Sequence, residues 1–287
     1  LPASGGAVDR RIVWRGQMVG KLQSLDRLRG KFSGDCFVVA AGPSLADIDL
    51  RQVADWPTIG VNGTIVKFKQ DGVRPSYFSI TDPDFFEHRF PLVREVLASG
   101  AMCFFGYRGL SWICERDATL LRDVPLGLSE IVNRRYFLPR LSPDECDAAV
   151  ELDPELVLHP TVRSQEGLVG FSRNMANGMF CGHTVGYRAI QIAYHLGFRR
   201  VFLLGMDMGT LRGRVRFYES PEASRPSLLE KHFDDFIGPC FEIVKGLCDA
   251  GEFKVYNCSL GSRLPESLIP KISFDDAVAL CRRARAA

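Results

Sequence analysis

The chain has 287 residues, 46% hydrophobic and 24% charged, which is enough apolar material for a sizeable core and too much for a disordered or disulfide-stapled mini-domain. Thirty-six Lys and Arg against 34 Asp and Glu leave a formal charge of +2, far from the basic excess with which a dedicated nucleic-acid binder neutralises phosphates. Nine cysteines, an odd number with no CxxC pair, argue against a disulfide framework and a Cys-based zinc site and fit a reducing cytoplasm.

In chain order, residues 1–31 form a basic segment with little pattern beyond a short helix around 20–28, and no apolar run of signal-peptide or membrane-span length. Residues 32–287 read as one domain. Short, nearly continuous apolar runs follow at 36–41, 58–62, 77–82 and 101–105, each ending at a small or polar residue. Continuous hydrophobicity over five to eight residues fits strands buried on both faces, and the helix-compatible segments between them point to a parallel sheet. Residues 106–179 are weaker, with prolines at 125, 139, 143, 154 and 160, and read as an irregular insertion or lid. A helix is expected over 184–198, where Val185, Ala189, Ile192, Ala193 and Leu196 recur at three-to-four spacing before Gly197. A strand at 200–207, a charged mobile loop at 211–231 and a last strand at 254–258 complete the pattern. The expected fold class is α/β: a doubly wound, mainly parallel, Rossmann-like sheet with an irregular lid or insertion.

In such a sheet ligands bind beyond the carboxyl ends of the strands. The residues there are Gly42, Pro43 and Ser44; Asn62 and Thr64; Thr81 and Asp82; Asp207; and Asn257 and Ser259. Each has a plainer reading beside the functional one: Asn62 and Gly63 as a turn, Asp82 as a helix start, Ser44 as a cap, Asp207 as an acceptor for backbone amides. The turn at Gly42 has one glycine where a dinucleotide fingerprint needs three, and lacks the GKS/T of a P-loop, so classical NAD binding and Walker-type hydrolysis are disfavoured.

The stretches AGPSLADIDL (41–50), SITDPDFFEH (79–88), TVGYRAIQIAYHLGFRRVFLLGMDM (184–208) and VYNCS (255–259) resemble, in order, the motifs of the bacterial family 42 sialyltransferases. That resemblance implies a GT-A-type fold, no metal, no cofactor beyond a CMP-sugar co-substrate, and transfer with inversion. It places Gly42, Ser44, Asn62, Asp82, Thr184 and Gly186 around the CMP-sugar, and Asn257 and Ser259 near base and ribose. His232 falls where those enzymes carry a general-base histidine, with Asp235 competing for the slot. The phosphate-binding tyrosine has its counterpart only at Tyr218, beyond an Arg-rich insertion. The same motifs also resemble the family of motility accessory factors and archaeal 6-hydroxymethylpterin pyrophosphokinase.

The expected function is therefore transfer of a 2-keto acid sugar, sialic acid or 3-deoxy-manno-octulosonic acid (Kdo), from a CMP-activated donor to a glycan or glycolipid acceptor of the bacterial surface. An ATP-dependent pyrophosphokinase, with Asp82, Asp84 and Asp207 as Mg²⁺ ligands, and a non-catalytic nucleotide-binding accessory protein are the alternatives. Inverting chemistry needs His232 or Asp235 as base, whereas a retaining route needs Asp82 as nucleophile. Arg212, Arg214 and Arg216 could clamp a phosphate or sugar carboxylate. His195 reads as a packed residue at a helix end. Arg282, Arg283, Arg285 and the basic N-terminal segment suggest peripheral contact with the inner membrane. A homo-oligomer is compatible with the sequence.

Overall fold

The computed structural model describes residues 9–135, 139–162, 168–210, 215–219 and 228–286. Among these, nine strands form one largely parallel sheet. Its centre is β3 (Asp35–Val39), buried along its whole length and paired in parallel with both β4 (Thr58–Val61) and β10 (Arg200–Leu204). From β4 the sheet continues through β5 (Tyr77–Ile80) and β6 (Met102–Phe105) to β7 (Leu126–Leu128), and beyond β10 it ends at β11 (Lys254–Asn257). The chain thus winds outward from β3 in two directions, which puts a topological switch point between β3 and β10.

Successive residues of β3 serve opposite faces. Cys36 and Val38 enter the core shared with α6 (Val185–Leu196) and α7 (Gly238–Asp249). Phe37 and Val39 enter the other core, which includes residues of α3 (Phe90–Ala98), α4 (Tyr107–Asp117) and α8 (Phe274–Ala286). Burial on both faces is why these strands are apolar runs rather than alternating patterns. Among the described residues no helix is long and apolar enough to cross a membrane.

Three features differ from the sequence reading. Residues around 20–28 are not a helix: β1 (Arg10–Trp14) and β2 (Gln17–Leu22) form a hairpin, and β2 joins the sheet beside β7. β1 is the edge of the sheet, and both strands of the hairpin are largely exposed, so charged residues interrupt their apolar positions. The segment 106–179 is not wholly an insertion, because α4 packs into the core on one face of the main sheet and β7 is a strand of it; β7 has three residues and starts after Pro125, which reads as a breaker in isolation. The remainder, 129–179, carries α5 (Pro143–Glu151) and a separate two-stranded sheet of β8 (Leu156–Leu158) and β9 (Gly170–Ser172). The expected loop at 211–231 lies outside the described residues at 211–214 and 220–227, together with Arg212 and Arg214.

Helix α6 is the anchor of the site. Thr184 caps it, and Gly197 ends it at φ +100°, its amide bonding back to Ala193 and Tyr194. Buried Gln191 accepts from the amides of Ser172 and Phe180 and donates to the Phe180 carbonyl; Tyr187 donates to the Gly170 carbonyl at 2.7 Å. The loop before α6 is therefore held by side chains of the helix it introduces.

Candidate active site

A crevice of about 910 Å³ opens at the carboxyl ends of β3, β4, β5 and β10, within the size range of small-molecule sites. Its floor is the switch point. The Gly42 amide donates to the Gly205 carbonyl (2.9 Å), and the Asp207 carboxylate accepts from the Ser44 amide (2.9 Å). A Cβ at position 42 would lie 2.5 Å from the Gly205 carbonyl oxygen and would also collide with Asp207, so only glycine fits there. From β11, Ser259 accepts from the Met206 amide and shares a hydrogen bond with the Ser44 hydroxyl, both at 2.9 Å, while its own amide donates to Asn257 at 3.0 Å. Ser262 donates to the Met206 carbonyl at 2.6 Å. Every polar group named here is engaged by the protein itself.

The walls differ. Thr184, Val185 and Gly186, at the start of α6, border the crevice, and Arg188 follows one turn along with only 5% of its surface exposed. No carboxylate or carbonyl of the described residues lies in bonding range of its guanidinium. Ser129, just after β7, is 3% exposed and its hydroxyl is unpartnered, as is the buried Oδ1 of Asn62, a residue held at φ +49°. On the rim, Asp82 caps α2 (Pro83–His88) by accepting from the Asp84 amide at 3.0 Å.

Of the residues singled out from sequence, Gly42, Asn62, Thr81, Asp82, Thr184, Gly186 and Asp207 all line the crevice. The others do not. Pro43 is buried at the start of a 3₁₀ turn, and Thr64 is fully buried, accepting from the Val61 amide at 2.9 Å. Ser44, Asn257 and Ser259 are spent on the floor. The Tyr218 ring packs against Gly63, where burial pushes its phenol pKa up to about 12. Arg216 borders the crevice but pairs with Glu219 at 2.9 Å.

His232 and Asp235 also stand off from the crevice. His232 precedes a π-helical turn (Phe233–Ile237) that runs into α7, and Asp235 on that turn is exposed. The imidazole that borders the crevice is His183, in the loop before α6, with its ring centroid 4.6 Å from that of His232 and 4.1 Å from that of Phe236. Two further histidines are structural: His159 bonds Glu242 at 2.9 Å, and His195 donates to the Leu25 carbonyl at 2.9 Å while accepting from the Met175 amide. Among the described residues no three of His, Cys, Asp and Glu converge as metal ligands.

Sequence reasoning missed Arg188, Ser129 and His183. Arg188 had a visible signal, a cation inside the apolar stripe of a predicted helix, three residues after Val185 and four before Ile192. Ser129 had none.

With this geometry in place, comparison with known proteins gives a consistent class. A model of the 3-deoxy-D-manno-octulosonic acid transferase WaaZ family matches residues 147–275, which include α6, Asp207, His232 and β11. The chain is 22% identical over 252 residues, covering 87% of itself and 86% of the relative, to a protein of Escherichia coli K12 described as "Probable 3-deoxy-manno-octulosonic acid transferase". A protein of Salmonella typhimurium LT2 with the same description is 22% identical over 242 residues, 83% of this chain and 87% of that one. Among solved structures, the MAf glycosyltransferase from Magnetospirillum magneticum AMB-1 aligns with a TM-score of 0.44 at 14% identity, over 87% of this chain and 37% of that much longer one. The family-model match and the two curated relatives support a glycosyltransferase, a coarser class than the family 42 sialyltransferases that the motifs resemble.

Proposed function

We propose that the protein transfers Kdo from CMP-Kdo to a glycan or glycolipid acceptor of the bacterial surface, with inversion, as a GT-A-type enzyme that needs neither metal nor cofactor and works in the cytoplasm at the face of the inner membrane. The observation that carries this reading is a match to Kdo transferases that runs nearly end to end along both chains. The crevice at the switch point supports it, with its glycine-floored turn and the start of α6 available to a phosphate.

On this reading His183, rather than His232, takes the proton of the acceptor hydroxyl, because it is the histidine that borders the crevice. As that oxygen bonds to the anomeric carbon, the carbon–oxygen bond to the phosphate breaks and CMP leaves with the electron pair. His232, its ring tilted 34° against that of His183 at 4.6 Å between centroids, fixes that ring and is a positioning residue. Asp82 contributes hydrogen bonds from the rim.

The test is turnover of CMP-Kdo and CMP-sialic acid with lipid A-type and oligosaccharide acceptors, with and without EDTA. CMP release that depends on CMP-Kdo and acceptor and survives EDTA supports the reading. Preference for ATP with Mg²⁺ and indifference to CMP-sugars would refute it. The anomeric configuration of the product, read by NMR, checks the chemistry: retention would move the central role from His183 to the Asp82 carboxylate.

A further inference from the structure

A guanidinium stays protonated at any physiological pH and carries five N–H donors, so burying one without partners is strongly unfavourable. The other deeply buried basic side chain among the described residues, Lys67, meets this demand internally with Asp71 at 3.2 Å. Arg188 does not, although it is equally buried. It borders the crevice, where two further groups, the Ser129 hydroxyl and Asn62 Oδ1, are also buried and unpartnered. Two buried unpartnered oxygens beside a guanidinium that borders the same crevice mark a place that a polar ligand completes.

We infer that Arg188 receives the carboxylate of the transferred sugar, an inference that rests on the proposed donor and specifies how it is recognised. In a CMP-activated 2-keto acid the anomeric carbon bears both the carboxylate and the phosphate oxygen, so the two anions sit side by side. Helix α6 presents two complementary features about 4.5 Å apart along its axis, the positive end of its dipole at Thr184–Gly186 and the fork of Arg188. The helix end suits the phosphate; the planar, bidentate fork suits the carboxylate. The remaining arginines on the crevice are less suited, since Arg108 and Arg134 are exposed and Arg216 is paired with Glu219.

The experiment uses the full chain as wild type, R188Q and R188K, titrated calorimetrically with CMP and with free Kdo, alongside steady-state kinetics with CMP-Kdo. Loss of charge-assisted hydrogen bonds should weaken Kdo binding and raise the KM for CMP-Kdo roughly 10- to 100-fold in R188Q, less in R188K, with CMP affinity changed less than about threefold. An equal fall in CMP affinity would assign Arg188 to the phosphate and overturn the carboxylate assignment. Unchanged Kdo and CMP-Kdo parameters would overturn it as well. The unliganded R188Q protein should melt no lower than wild type, because it loses an unpaired buried charge; a clear drop would make Arg188 structural. Loss of carboxylate binding in R188Q, in a wild type that does not turn over CMP-Kdo, would refute the proposed function and leave the carboxylate site standing.

Discussion

The floor and the walls of the crevice are built on opposite principles. On the floor, Asp207, Ser44, Ser259 and Asn257 satisfy one another across β3, β10 and β11, so the backbone there is fixed before any ligand arrives. On the walls, the Ser129 hydroxyl and Asn62 Oδ1 are buried without a partner, and Arg188, 5% exposed, borders the same crevice. Floor residues hold the shape, and wall residues hold back interaction energy for a substrate. Burial and polarity alone do not separate the two roles; the state of each hydrogen bond does.

The strongest test of this division lies at the histidine pair. His183→Ala should lower turnover about 10²–10⁴-fold with donor affinity nearly unchanged, since general-base removal acts on the transition state. His232→Ala should cost about tenfold and change the pH profile of kcat, as a ring that acts through its neighbour. If the two kcat losses rank the other way, His232 is the base and the crevice closes further than it does here.

The far end of α6 is satisfied like the floor, and acid should expose it. Burial holds the His195 pKa down near 4, so the unfolded chain binds a proton more readily than the folded one between about pH 4 and 6.5. Stability should therefore be fully present above pH 6.5 and fall as pH drops through that window, by about 3 kcal/mol from this one group. Denaturant midpoints across pH for wild type and His195→Gln check this: the variant should show a flatter curve, and parallel curves would dismiss the buried imidazole as the cause.

Gly42→Ala should destabilise the floor by about 2–4 kcal/mol, because the new methyl meets a backbone carbonyl that cannot swing aside. Urea unfolding measures it, and a normal midpoint would mean the floor is softer than its hydrogen bonds imply. The most direct contrast sets two buried serines side by side. Ser259→Ala removes a hydroxyl with two partners and should cost about 1–3 kcal/mol of stability. Ser129→Ala removes one with none, and should leave stability within about 0.5 kcal/mol while weakening donor binding a few-fold. Equal stability losses would erase the distinction between floor and wall.

Much of the scaffold was legible because central parallel strands are buried on both faces. β3, β4, β5, β6, β10 and β11 all announce themselves as apolar runs, and the crevice follows from where they end. The hairpin of β1 and β2 and the three-residue β7 were not, because edge strands and short strands lack that signal. Within the site, sequence identified which turns face the crevice but not which polar atoms were already engaged. Asn257 and Ser259 look like ligands in a list of strand ends, yet their partners are the backbone of Met206 and the side chain of Ser44, residues over 50 positions away. His232 stood out through its motif, whereas His183 gains its place only when the turn after Leu229 brings the two rings together.

A π-helical turn holds one residue more than an α-helical path between the same ends. The number of residues between His232 and α7 therefore sets the azimuth of that ring, much as tooth count sets the phase of a gear. Each residue of an α-helix turns the chain by about 100°, so deleting one position within Phe233–Ile237 would regularise the turn and swing His232 away from His183 by roughly that angle, with α7 still seated in its core. At this edge of the crevice, spacing along the chain carries information that no single side chain does.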